Sequence, residues 1–406
     1  MNPVTTGVLL LGELPANELA SLARRIEEWG YDYLWLGDER FFREVYSSLT
    51  LCALNTSRIK LGPCVTDPYS RHPALTAQAI GTLDEISGGR AVLGIGAGIS
   101  GFAELGIARS RPALAIREAV TLIQALMRGE EVDFQGRTVE FKGGGLNFSP
   151  LRPDLPIYIA SNSPLGLQLA GEVADGAIIS SCASQATVDY SLGIISEGAS
   201  RTNRDTAAID RVARLNCCIA ADSQEALQGV RMSAVRSLAT YTRFAISAGL
   251  EVTPDLIDAV AQLGYTHDTQ KLEILAKQAP DDLIRDATLA GTVEEVTAKV
   301  VSMIESGITQ VTIRASATPR QGIATTLEAF ATDYPVEYMD SVEALIVALR
   351  RGFTVVEVPV TMRERTGGVP SNRNLRLAYH FVRVLILLVA GTGRRRSPSS
   401  LRSAAP

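Results

Sequence analysis

Histidine is scarce in this chain of 406 residues. His72, His267 and His380 are all it has, and none stands in a metal-ligand spacing such as HExxH, which argues against a zinc centre. Cysteine is nearly as rare. Cys52, Cys64, Cys182, Cys217 and Cys218 contain no CxxC pair, and a bridge between the adjacent Cys217 and Cys218 would be strained. Reduced thiols in a cytoplasmic protein are therefore expected. There is no Walker A sequence and no GxSxG elbow, and no Ser/His/Asp set can be placed. The apolar run near the N-terminus lacks a basic n-region and a small-residue cleavage site, so it reads as a first strand and not as a signal peptide. Basic charge is not in excess: 39 Lys and Arg face 44 Asp and Glu, and a net charge of -5 argues against a general nucleic-acid binder.

What is present is a large apolar fraction, 46%, with 34 glycines and 18 prolines, enough for a sizeable core. The charge is unevenly spread. Residues 333–406 hold eleven arginines, no lysine and six acids, a net of +5, which leaves -10 for residues 1–332. A boundary near residue 333 is the first expectation, with a domain at 1–332 and a basic extension at 333–406.

Apolar runs bounded by Gly, Pro or Asp alternate with segments of helical period, the pattern of a parallel sheet with covering helices. Strands are expected at residues 7–11, 33–37, 59–65, 91–96, 157–161, 177–181, 211–219 and 309–314. Helices are expected at 16–29, around 47–54, and at 73–86, 116–127 and 165–173. A hairpin insertion with a Gln-Gly turn fits residues 130–148, and a long helical insertion occupies much of 223–285. Eight strand–helix units predict an α/β protein of the (β/α)8 TIM-barrel class with insertions and a short C-terminal α/β fragment; a doubly wound open sheet is the alternative. In a barrel, chemistry collects just after the strand C-termini.

Several such ends are chemically unusual. Asp38 and Glu39 follow the second strand, where a carboxylate can accept from a heterocycle N–H or hold a proton, or cap a helix. Pro63-Cys64-Val65-Thr66-Asp67-Pro68 follows the third. A reactive thiolate at Cys64 would need a basic neighbour such as Arg71 or His72; otherwise Cys64 is a small apolar rim residue and His72 part of a helix start. Gly96-Ala97-Gly98-Ile99-Ser100-Gly101 matches GxGxxG in form, but no helix is evident before Pro112, so close backbone approach to a planar ligand is the better reading. Ser161, Asn162 and Ser163 precede a helix and suit either a phosphate or a plain N-cap. With no metal set and no activated nucleophile, binding and orienting an organic cofactor that does the chemistry is the reading left by elimination.

Five segments carry a family resemblance: LGDERFFREVYSSL (36–49), RIKLGPCVTDPYSRHPALTAQAIGTLDEISGGRAVLGIGAG (58–98), AIREAV (115–120), PIYIASNSPLGLQLAGEVADGAII (156–179) and TIRASATP (312–319). In these the chain resembles the bacterial-luciferase-like superfamily, and within it the coenzyme F420-dependent methylenetetrahydromethanopterin reductase type. The resemblance implies a TIM barrel that transfers a hydride between F420 and a small or pterin-like acceptor, and a homo-oligomer. It implies that Asp38 is catalytic and lies near cofactor and substrate. By the same resemblance a non-prolyl cis peptide at Cys64–Val65 presses on the back of the ring, Thr66 faces the ring edge, Ala97 and Gly98 run along the cofactor, and Ser161, Asn162 and Ser163 hold its phosphate. Two departures stand out. The reductase type has a Glu in its first strand, where this chain has Leu9 or Leu10, and a His after the Asp, where it has Glu39. FMN in the same barrel, as in a luciferase-like monooxygenase, is the alternative cofactor reading.

The extension resembles something else. Residues 333–368 and 375–389 are similar to the C-terminal end of family-2 polyprenyl-phosphate glycosyltransferases, without the nucleotide-binding domain or DxD-type site, so sugar transfer is not expected. Residues 378–392 fall short of the ~20 apolar residues of a spanning helix, and residues 375–396 suit weak contact with a membrane surface or docking on the protein. A barrel that has lost its site, fused to such a tail, is the reading from another functional class.

Overall fold

The structure is a computed structural model that describes residues 4–333 apart from Tyr265 and His267, with only the backbone given for Thr332 and Asp333. These residues lie within one unit of the chain, Met1–Val336. The expectations for the basic extension, including the membrane-surface segment 375–396, lie outside the described residues.

The alternation of short apolar strands and longer helices begins with β1 (Thr5–Leu10), α1 (Ala16–Glu28), β2 (Tyr33–Leu36), α2 (Val45–Leu54), β3 (Lys60–Pro63), α3 (Pro73–Ser87), β4 (Leu93–Gly96) and α4 (Pro112–Met127). An antiparallel hairpin, β5 (Val132–Gln135) and β6 (Glu140–Gly144), interrupts it. The pattern resumes with β7 (Ile157–Ala160), α5 (Pro164–Val173), β8 (Gly176–Ser180), α6 (Gln185–Arg201) and β9 (Asp210–Ile219). Four helices follow: α7 (Ser223–Ser247), α8 (Pro254–Leu263), α9 (Thr269–Gln278) and α10 (Asp281–Ala287). The last elements are β10 (Thr288–Gly291), α11 (Val293–Glu305), β11 (Gln310–Ala315) and α12 (Ile323–Asp333).

Eight parallel strands run in the order β3-β2-β1-β11-β9-β8-β7-β4, and bridges at Leu61–Ala91 and Thr66–Ile95 bring β3 to β4, so the sheet is a nearly closed barrel and not an open one. β10 pairs with β9 from Asn216 to Ile219, beyond the point where β8 ends its own pairing at Arg214. The expected eight strands are these barrel strands; β10, α6 and α11 were not anticipated. β10 is four residues abutting a helix on each side with no turn residue before it, and α6 carries two glycines and weak apolar period.

The pleat sorts side chains into two cores. Leu9, Tyr33, Trp35, Val92, Tyr158, Ile178 and Val212 fill the barrel interior, while Ala213, Leu215 and Cys217 of β9 and Val311 and Ile313 of β11 join the larger core under the helices. Trp35 is 1% exposed, and burying a side chain of that size contributes more than the ~1.5–3 kcal/mol of an aliphatic one. The hairpin is anchored by Glu118 of α4, whose carboxylate accepts from the N–H groups of Arg137, Thr138 and Val139 at 2.8, 2.8 and 3.0 Å.

Candidate functional site

The C-terminal mouth brings Asp38, Thr66 and an unanticipated Tyr46 together. Asp38 follows β2, and burial raises its carboxyl above the ordinary value; the Thr66 hydroxyl and the charges of Arg40 and Arg71 pull it back down, and Glu44 adds to the rise. Thr66 is fully buried, and its backbone is clamped to β4 by N–H donation to Gly94 O at 3.0 Å and acceptance from Gly96 N at 2.9 Å. Tyr46, in the first turn of α2, is 8% exposed with the Arg71 guanidinium 4.8 Å from its ring centroid. Burial and the nearby Asp38 charge hold its phenol well above its ordinary value, fully protonated. The Tyr46 hydroxyl and Thr66 Oγ1 are both buried without a hydrogen-bond partner. Thr66 lies beside both Asp38 and Tyr46, and its hydroxyl draws the pKa of each downward. A buried hydroxyl left unbonded costs about 1–3 kcal/mol, so two side by side mark a place built for a polar atom from outside.

Next to this cluster the peptide bond between Cys64 and Val65 is cis, the geometry the resemblance implies there. Two consecutive side chains, Cys64 and Val65, both pack against the barrel interior. Burial pushes the Cys64 thiol up to about 11, against a smaller lowering by Arg214, so it is a protonated apolar-type residue and not a nucleophile. His72 is engaged elsewhere: its Nδ1 accepts from Ala74 N at 3.1 Å as the cap of α3, and its Nε2 lies 2.8 Å from Glu140 O on the hairpin. Opposite Val65, a Cβ on Gly96 would sit 2.8 Å from Val65 Cγ2 and 3.2 Å from Ala160 O, so only glycine leaves room there.

Ala97 and Gly98 follow β4, with Gly98 at φ +63°, where Gly is favoured. No helix starts at Gly101; residues 97–111 form a loop pinned by Phe102, which lies between the guanidinium groups of Arg40 (4.4 Å) and Arg109 (5.1 Å). This removes the dinucleotide fingerprint, which needs a helix N-terminus at that place. Arg40 also pairs with the fully buried Asp67, which accepts from Tyr69 N and Ser70 N at 2.8 Å each. On the neighbouring arc, Ser163 caps α5 by accepting from Gly166 N at 3.2 Å, and Ser161 Oγ accepts from Ser163 N at 3.1 Å. Asn162 points to β8, where its amide donates to Ser180 O and accepts from Ser180 N, both at 2.9 Å. Ser161 and Ser163 thus present hydroxyls at a helix N-terminus, while Asn162 holds the loop.

The sequence reading also passed over Arg214 and Asn216 of β9 and Arg314 of β11. Reading strands as apolar runs hides polar residues inside them. The signal was available in the pleat, since Val212 faces inward and every second residue after it must as well.

With this geometry in view, residues 3–310 match the family described as luciferase-like monooxygenase. The 5,10-methylenetetrahydromethanopterin reductase of Archaeoglobus fulgidus is 34% identical over 307 residues, 75% of this chain and 91% of its own length. Its counterpart in Methanolobus tindarius is 32% identical over 320 residues, 76% of this chain and 93% of its own. The solved structure of coenzyme F420 dependent tetrahydromethanopterin reductase from Methanopyrus kandleri aligns with a TM-score of 0.72 at 26% identity, covering 82% of this chain and 98% of that one. Given a match through three quarters of its length, the chain belongs to the luciferase-like monooxygenase family and is an oxidoreductase of that family.

Proposed function

We propose that the protein transfers a hydride between coenzyme F420, held at the C-terminal mouth, and a small or pterin-like acceptor. The observation that carries the reading is the cluster of Asp38 with the two unbonded hydroxyls of Tyr46 and Thr66. It fits a heterocycle bearing carbonyl and ring N–H groups, because it offers two donors and one acceptor within a largely dry pocket. The likeness to the coenzyme F420 dependent tetrahydromethanopterin reductase of Methanopyrus kandleri supports F420 over FMN.

In this reading the Cys64–Val65 bulge and the bare edge at Ala97 and Gly98 form the two sides of a slot for a planar ring, and the lack of a Cβ at Gly96 keeps the slot open. Ser161 and Ser163, with the first N–H groups of α5, hold a phosphate, and Asn162 fixes their loop to β8. When bound, F420 supplies the hydride that the protein itself cannot. Asp38 orients ring and acceptor, and its raised pKa lets its carboxyl keep a proton more readily than an exposed acid does. Tyr46 donates its O–H toward the same point, and Thr66 fixes the distance between the two.

The acceptor departs from methanopterin. Leu9 is buried in the barrel interior and Leu10 under the helices, so β1 brings no carboxylate to the mouth; Glu13 stands at the rim, 3.7 Å from Arg314. The test is to mix the protein with reduced F420 and a panel of acceptors, among them a methylene-tetrahydropterin, and to follow the return of F420 absorbance. Acceptor-dependent oxidation that D38N abolishes is expected; oxidation equal in D38N removes the role of Asp38, and none with any acceptor refutes hydride transfer.

A further inference from the structure

The wall across the mouth from Asp38 and Thr66 carries positive charge. In the barrel order β9 stands four strands from β3, between β8 and β11, and β10 pairs with its C-terminal half. On β9, Val212 lies in the interior core and Ala213, Leu215 and Cys217 in the outer one, so Arg214 and Asn216 point inward. On β11, Val311 and Ile313 face the helices, while Thr312 Oγ1 approaches the inner face of Gly7, so Arg314 points inward too. The register sets Arg314 beside Asn216 and Arg214 beside Thr312 and Ser180. The charge of Arg214 reaches across the barrel to the Cys64 thiol.

Asn216 adds an independent observation. It is fully buried, its Nδ2 lies 3.3 Å from Ser237 Oγ of α7, and its Oδ1 is buried without a hydrogen bond. Next to it Ser316, just past β11, is 3.2 Å from Ser233 of the same helix. This wall therefore presents two guanidinium groups and one unbonded amide oxygen. Glu13, 53% exposed and 3.7 Å from Arg314, is a loose and replaceable partner for that charge.

We propose that Arg214 and Arg314 form an anion subsite for the acceptor, taking a carboxylate or phosphate group, while Asn216 Oδ1 accepts from a hydroxyl or N–H beside it. The planar guanidinium fork matches either oxyanion. The acceptor is thus a small acid or phosphate ester whose reducible end reaches toward Asp38 and whose charged end lies on β9 and β11. This deepens the hydride-transfer reading and rests on the acceptor entering this mouth.

The test uses inorganic phosphate, malonate and its neutral analogue malonamide as probes, with the full chain followed by calorimetry. Saturable binding of phosphate or malonate, but not malonamide, is expected. R214Q and R314Q should each weaken it about tenfold or more, the loss expected for a charged hydrogen bond. E13Q should tighten it, because one negative charge beside Arg314 is removed, and R314K should retain part of it, which guards against misfolding in the glutamine variants. The preference between phosphate and malonate identifies the oxyanion. Phosphate binding that survives in both arginine variants but is lost in S163A would place the anion at α5 and overturn the subsite; so would malonamide binding as well as malonate. Titration of R314Q with F420 keeps the two readings apart, since normal cofactor affinity with lost malonate binding is expected, whereas absent cofactor affinity in the wild type would count against the hydride-transfer reading alone.

Discussion

Replacing Tyr46 with Phe removes one oxygen and nothing else, and the site predicts that stability and catalysis move in opposite directions. In the protein without ligand the Tyr46 hydroxyl is buried and unbonded, a condition that costs about 1–3 kcal/mol. The ring packs as before, with Arg71 over its face, so Y46F should be more stable than the wild type by about 1 kcal/mol after the hydroxyl's partial compensation by nearby dipoles is discounted. For a unit of this size that amounts to roughly 1.5 °C in Tm. Loss of a positioned hydrogen-bond donor should meanwhile slow single-turnover hydride transfer by about a hundredfold. Urea unfolding of the ligand-free protein and stopped-flow oxidation of reduced F420 measure the two quantities. A variant that loses stability and keeps its rate would show that the hydroxyl serves the fold, and the reasoning would be refuted.

Other perturbations test neighbouring parts of the account. The raised pKa of Asp38 means that the folded state binds its proton more tightly than the unfolded one, so stability falls as pH rises from the ordinary carboxylate value through the raised one. D38N lacks that term and should be more stable than the wild type at pH 7 and no more stable in acid, as unfolding curves at both pH values will show. Glu118 behaves in the reverse sense: burial opposes ionisation, but bonds from Thr138 Oγ1 and three backbone N–H groups outweigh it and hold its pKa below the usual range. Its contribution is complete above the ordinary Glu value and lost as pH falls through the depressed one, so E118Q should cost about 1–3 kcal/mol near neutrality and little in acid. G96A should push Val65 into the slot and abolish cofactor binding while costing about 1–3 kcal/mol in stability; unchanged affinity would show that the slot lies elsewhere. Iodoacetamide at pH 8 should leave Cys64 unmodified, since burial pushes its thiol up to about 11; rapid alkylation read by mass spectrometry would contradict that.

Much of the barrel was legible because its strands are short apolar runs closed by Gly, Pro or Asp, as at β2 and β4, and the strand-end rule then led to Asp38, Thr66 and Ser161 without any structure. The remainder was hidden for identifiable reasons. β10 is too short and too closely flanked by helices for a pattern of period two to show. The strand expected over residues 59–65 is shorter, Lys60–Pro63. Tyr46 sits eight residues past Asp38 inside a helix, and only folding of α2 against the mouth brings its hydroxyl to the carboxyl. Arg214 and Arg314 are strand residues, and a basic residue within an apolar run reads as noise until the pleat assigns it a side. Asn162 shows the opposite limit, since its position suggested a ligand contact and its amide is spent on Ser180.

The central claim, a slot at the mouth that holds a deazaflavin, is tested most directly by titrating the protein with oxidised F420 and, separately, with FMN while following cofactor fluorescence. Saturable binding of F420, weaker binding of FMN, and loss of both in G96A are predicted. Saturable binding of neither cofactor, or F420 binding that G96A leaves untouched, would contradict the account.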